Sequence, residues 1–371
     1  MIGRAFGVLL TGVALWDVFI TVLYARAQGG IIARTVSRLT WQLFLGLAQL
    51  FPGRKARVLA FCGPAVLIML VAAWALMLTL AAALILHPAL GEGIRSTTGD
   101  TATDFITAMY AAGGSLAIVG ASGFTPHGHV WELYFLFNSL VGASVISLTL
   151  TYLMQVYSAL LRRNSFALTL HLLTGETDDA ADLICGLGPH GDFTTGATTL
   201  ADLSTEMAAM KETHHFYPVL FYFRFQETFY SASHMALVAL DTVTLIKTAL
   251  DQKRYAVLQA SGSLRQLSNG ALKLVLTLHR AFLTHDPPGR APPDDPTRER
   301  WSRRYFDALH RFQNAGIAVT SNEQAGLAAY VELRSGWDPV VMALAPAMKH
   351  EPAQVDPAGT HASPQRRSSP P

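Results

Sequence analysis

Thr103–Pro126 reads TDFITAMYAAGGSLAIVGASGFTP, and the reading of this stretch decides the fold. It lies between two apolar segments, Val58–Leu86 and His129–Leu161, each long enough to cross a bilayer at about 20 residues per crossing. From Asp104 to Leu116 the residues suit a short helix of roughly three turns. Ile118-Val119-Gly120-Ala121-Ser122-Gly123 follows, rich in small residues, and Pro126 closes it. Extended backbone at membrane depth is tolerated only where it is buried in protein or lines water. Span, half-helix, glycine-containing segment and span together have the layout of a pore loop.

Composition agrees with a membrane part joined to a more polar part. Hydrophobic residues make up 51% of the 371 residues and charged ones 15%, below the ~25% of an average soluble domain. The apolar residues concentrate before Arg162. A formal net charge of +2, with no basic stripe interleaved with aromatics, argues against a nucleic-acid partner. Cys62 and Cys185 fall in different parts of the chain and offer no disulfide framework.

Upstream, Ala5–Tyr24 is a first span containing one acid, Asp17. A mid-membrane carboxylate is costly, so Asp17 should face protein or water, either bonded to a neighbouring helix or paired. Residues 31–52 carry Arg34, Arg38 and Trp41, and read as a helix along the interface or, alternatively, a marginal span. In the second span, Pro64 predicts a kink near one end. Six basic residues lie between the first two spans, Arg95 stands alone between the second and third, and Arg162-Arg163 ends the third. The positive-inside rule then places the N-terminus outside, the pore loop outside and everything after Arg162 in the cytoplasm.

The third span carries Asn138, Ser139, Gly142, Ser144, Ser147, Thr149 and Thr151. Small residues allow close helix packing, and polar ones can face a wet cavity. Asn138 and Gly142 are therefore pore-lining or gating candidates, with Gly142 either a hinge or a packing position. Helical patterns recur at Ser165–Leu173, Thr199–Thr213, Ser231–Asp251 and Tyr255–Phe282, with apolar Leu237, Leu240, Val243, Ile246 and Leu250 on one broad face. Asp241 interrupts the rest of that helix. Asp286–Pro296 reads as a linker, and Tyr217–Phe223 is dense in aromatics. The division expected is 1–57, a first span and basic linker; 58–163, a pore domain; 164–345, a helical cytoplasmic domain; and 346–371, a disordered tail.

With these residues in view, the chain resembles a bacterial two-transmembrane-type potassium channel family with a helical cytoplasmic region. Such proteins carry a run like Ala-Leu-Tyr, a pore helix, Thr-Leu-Gly-Tyr-Gly-Asp and a proline three residues on. Here Ala108-Met109-Tyr110, Gly120 and Pro126 fall on that pattern without gaps. Trp16–Val22 and Tyr217–Phe223 also look like segments flanking the pore in such proteins. The departures lie in the filter: Ile118 stands at the threonine, Ala121 at the tyrosine, Ser122 at the second glycine and Gly123 at the acid, with Val119 and Gly120 retained. Potassium filters replace the ion's water shell with successive backbone carbonyls. The resemblance implies an all-α membrane protein with a potassium-channel-like pore domain, an extra N-terminal span and an α-helical cytoplasmic domain. It also implies a homotetrameric ion channel subunit in membrane lipid, conducting K+ or other monovalent cations through Ile118–Gly123. His127 at the mouth would repeat by symmetry into a cluster charging below about pH 6.5, or be a solvated loop histidine. The alternatives are a non-conducting sensor or interaction protein on the same scaffold and, more remotely, a transporter component. No phosphate loop, HExxH, CxxC or GxSxG is present and His214, His215 and His234 lack metal-ligand spacing, so neither an enzyme nor a metal site nor a cofactor is expected.

Overall fold

A computed structural model describes residues 2–24, 29–117, 123–283, 285–348 and 355–356. The chain is mostly helical and divides into two compact units: residues 1–158 with Tyr217–Phe223, and residues 159–216 with 224–371.

The first unit is a membrane unit. Three helical stretches are long and apolar enough to cross a bilayer: Ile2–Leu23, Lys55–Ala89 and His129–Leu173. They overlap the three expected spans. Helix α1 (Ile2–Val18) ends in a π-helical turn, Phe19–Leu23. The second span is broken at Phe61, between α3 (Lys55–Ala60) and α4 (Cys62–Leu86). Pro64 has no N–H and its ring crowds the carbonyl four residues back, at Ala60, which is where α3 stops. Helix α2 (Ile31–Leu50) is a 20-residue helix but is not among the candidate spans.

Helices α1 and α4 pack closely because Gly7 lets the backbones meet: a Cβ there would collide with the Ala81 carbonyl and the Ile85 side chain. Helix α5 (Phe105–Leu116) lies against α4. Strands β1 (Ile94–Ser96) and β2 (Phe124–Pro126) pair antiparallel, with Arg95 opposite Thr125.

The third span does not stop at Arg162. Helix α6 runs His129–Leu173, 45 residues, and absorbs the separate helix expected at Ser165–Leu173. No glycine or proline interrupts Arg162-Arg163-Asn164-Ser165, so nothing local ends the helix there. Arg162 pairs with Glu206 at 3.1 Å, and Arg163 is buried with its guanidinium over the Phe225 ring.

The second unit surrounds α9 (Ala232–Thr248) with α7 (Ala180–Leu187), α11 (Gly262–Phe282), α13 (Glu323–Arg334) and α14 (Asp338–Ala347). Helix α8 (Thr194–Phe216) packs on α11, α10 (Ala256–Gln259) precedes α11 in the chain, and α12 (Asp295–Asn314) packs on α7 and α13. The sequence pattern predicts one apolar face on α9; instead every residue of the helix is buried except Lys247. Asp241 therefore lies in the core, fully inaccessible. The linker expected at Asp286–Pro296 is irregular over 286–294, and its last two residues begin α12. Of the tail expected to be disordered from 346, Pro346 and Ala347 belong to α14 and Met348 caps it, while Val355 and Asp356 are described and buried.

Candidate functional site

The half-helix α5 starts as its sequence dictates. Asp104 caps it: one carboxylate oxygen accepts from the Thr107 N–H at 3.0 Å and the other from the Thr107 hydroxyl at 2.7 Å. These bonds hold the Asp104 carboxyl below the usual carboxylate range. Ala108, Ala111, Ala112 and Ser115 recur at helical spacing and are buried, so the small face of α5 is its packed face.

Twelve residues make a helix of about 18 Å, too short for a hydrocarbon core of about 30 Å. Its first residue, Phe105, lies edge-on to His87 at 5.8 Å, just past the end of α4. Its last residue, Leu116, meets α6 at Gly142, where an added Cβ would run into the Leu116 carbonyl. Gly142 is thirteen residues into α6, roughly 20 Å along the axis. Helix α5 thus enters at one end of its neighbours and stops partway along α6.

Two positions on α6 pin that end. Asn138 is buried and donates from Nδ2 to the Ser115 hydroxyl at 2.6 Å; Ser115 donates on to the Ala112 carbonyl at 2.8 Å. Asn138 and Gly142, one turn apart, therefore both hold the C-terminal end of α5. Farther along α6, Ser144, Ser147 and Thr151 are exposed.

The filter candidates Ile118, Val119, Gly120, Ala121 and Ser122 lie outside the described residues. Gly123 follows them at φ +66°, in the left-handed region glycine favours, and its carbonyl accepts from the Thr97 N–H at 2.9 Å and hydroxyl at 3.0 Å. His127 is exposed; its backbone N–H donates to the Gly93 carbonyl at 2.8 Å, and its ring lies 3.5 Å from the Thr125 hydroxyl.

Asp17 is elsewhere, and it is fully partnered. It is 4% exposed and accepts from the Ile32 N–H at 2.8 Å, the Ala33 N–H at 3.3 Å and the Trp74 indole N–H at 2.9 Å. The carboxylate thus caps the free N–H groups that begin α2. Of the two readings of Asp17, bonding to a neighbouring helix matches this arrangement. Gly30 leaves no room for a side chain beside it.

The aromatic run Tyr217–Phe223 belongs to the membrane unit, although it follows α8 of the second unit. Its 3₁₀ turn, Pro218–Tyr222, packs on α4. The Phe223 ring sits over Gly63, where a Cβ would fall 2.6–2.8 Å from its carbons. Tyr222 meets Trp41 at 5.9 Å, while Tyr217 and Phe223 meet Tyr152 and Tyr157 of α6 at 6.1 Å. Sequence reasoning singles out the run but misses Gly63 as its seat, and it misses Trp74 and Ser115. A glycine that seats a ring carries no side-chain signal, whereas a buried acid such as Asp17 does, because it demands a donor.

Among the described residues no cluster of three or more His, Cys, Asp or Glu side chains is placed to hold a metal ion, and both cysteines are free. No family model and no solved structure matches the chain. Among curated proteins, the chain is similar to "Uncharacterized membrane protein YdjJ" of Bacillus subtilis (strain 168), at 24% identity over 321 residues, 85% of this chain and 88% of that protein. The likeness extends over both units, and together with the apolar helices it supports a membrane location.

Proposed function

We propose that the protein is a subunit of a cation channel, with α5 as pore helix and residues 118–123 as filter. The observation that carries this reading is the half-helix: α5 is too short to span and its C-terminal end is pinned partway along α6 by Asn138 and Gly142. A helix built to stop partway needs a returning segment, which bilayers accept only beside protein or water. One such loop cannot enclose a pore, so the reading requires a closed oligomer, a homotetramer by family resemblance. The carbonyl end of α5 carries partial negative charge, which favours a cation beyond it. Exposed Ser144, Ser147 and Thr151 suit a wet cavity. The ion is monovalent, K+ by resemblance, and the second unit is cytoplasmic in this reading.

Gly120→Phe tests the proposal. In a channel it abolishes ion flux into liposomes while the tetramer, measured by native mass spectrometry, persists. Flux that survives the substitution overturns residues 118–123 as the filter. A second reading, a non-conducting sensor on a pore scaffold, is favoured by Ile118, Ala121 and Ser122 at positions where potassium filters need other residues; wild-type tetramers without flux would select it.

A further inference from the structure

The core of the second unit holds two arginines that share acidic partners. Arg334 of α13 is fully buried between the Trp301 and Trp337 rings, its guanidinium carbon 5.1 Å from each centroid. Arg304 of α12 shares two of its acidic partners. The first is Asp241 of α9: Arg334 Nη1 donates to one oxygen at 3.1 Å, the Tyr330 hydroxyl donates to the same oxygen at 2.8 Å, and Arg304 Nε lies 2.8 Å from the other. One carboxylate cannot neutralise two buried guanidinium groups. Asp338 accepts from Arg334 Nε at 3.0 Å, but burial pushes its carboxyl above the ordinary range despite Arg334, which weakens it as a counter-ion. Asp179 lies 3.7 Å from Arg304 and is shared with Arg311.

The missing charge comes from the C-terminal segment. Asp356 accepts from Arg304 Nη1 with one oxygen and from Arg334 Nη2 with the other, each at 2.6 Å. The Val355 carbonyl accepts from His234 Nδ1 of α9 at 2.9 Å. A carbonyl can only accept, so Nδ1 carries the hydrogen. On the other side of the His234 ring, Nε2 lies 3.5 Å from Asp178, and Asp178 in turn bonds His171 at 2.7 Å. Val355 is 0% exposed and Asp356 4%. Three donors on three helices converge on two residues, and each donor is positioned by groups other than those two residues.

We infer that Arg304 and Arg334 form a carboxylate-binding slot whose resident ligand is Asp356 of the chain's own C-terminal segment. The slot reads a peptide acid: a carboxylate between two guanidinium groups, preceded by an apolar residue whose carbonyl meets a histidine. The C-terminal segment is thereby an intramolecular ligand of the second unit.

The test is chemical rescue of Asp356→Ala in the full-length protein in detergent. The substitution leaves space for a small carboxylate facing two arginines. The variant should melt several degrees below wild type. Sodium formate should return most of the loss, sodium chloride at equal ionic strength should not, and formate should leave wild type unchanged. A melt equal to wild type, or a loss that formate restores no better than chloride, overturns the slot. Where the alanine variant does not fold, hydrogen exchange of the wild-type chain decides: amides at 355–356 protected well beyond free-chain rates support docking, and free-chain rates overturn it.

Discussion

At the residue scale, the site depends on small and polar side chains in α6 and α1. Gly142→Val places methyl groups against the Leu116 carbonyl and should cost about 2 kcal/mol, as overpacking a fitted contact does. It should also displace α5; a melting shift with lost flux checks both, and unchanged melting would contradict the close approach. Asp17→Ala leaves the Ile32 and Ala33 N–H groups and the Trp74 indole unanswered, for a loss of about 1–2 kcal/mol by thermal melting. A melt equal to wild type would contradict the cap. That Asp17 needs a donor is legible in the sequence, because an acid within apolar residues has no other resolution. That the donors are α2's first amides is not, because a helix start fifteen residues on leaves no mark in the periodicity around Asp17.

At the element scale, two helices behave differently from their local patterns. Helix α9 reads as one-sided because Asp241 breaks its apolar run, yet Arg304 and Arg334 bring charge to that acid from two later helices. Partners so distant in sequence leave no mark in a local window. Helix α8 carries a buried histidine: burial lowers His214 to about 4, with the Arg163 charge adding to the effect against a bond to the Met210 carbonyl. A base whose folded-state value is depressed stays neutral in the native state, so protonation favours unfolding. Stability should therefore fall as pH drops from about 6.5 toward 4. His214→Leu should flatten that part of a stability-versus-pH curve, and an unchanged slope would contradict the assignment. The 3₁₀ turn Pro218–Tyr222 is seated by Gly63. Gly63→Leu should unseat Phe223 and raise hydrogen exchange across 217–223, leaving α9 amides protected; unchanged exchange would contradict the seat.

At the scale of the whole molecule, hydrophobic length locates the three spans, and the short run Asp104–Leu116 between the last two locates α5. The boundary between units is less legible. It falls at Ser158–Ala159 inside α6, because that helix has no breaker, and Tyr217–Phe223 leaves the second unit for the first. In the proposed reading the half-helix of the membrane unit prepares a cation path; the second unit has its own charged core. A reversal potential measures that path directly, with tetrameric protein in a planar bilayer, potassium chloride on one side and sodium chloride on the other. The expected current is carried by cations: it reverses at the potassium equilibrium value if residues 118–123 select K+, and near zero if they pass both cations, with anions excluded in either case by a parallel chloride gradient. Tetramers that carry no current, or a current that follows the chloride gradient, would contradict a cation path.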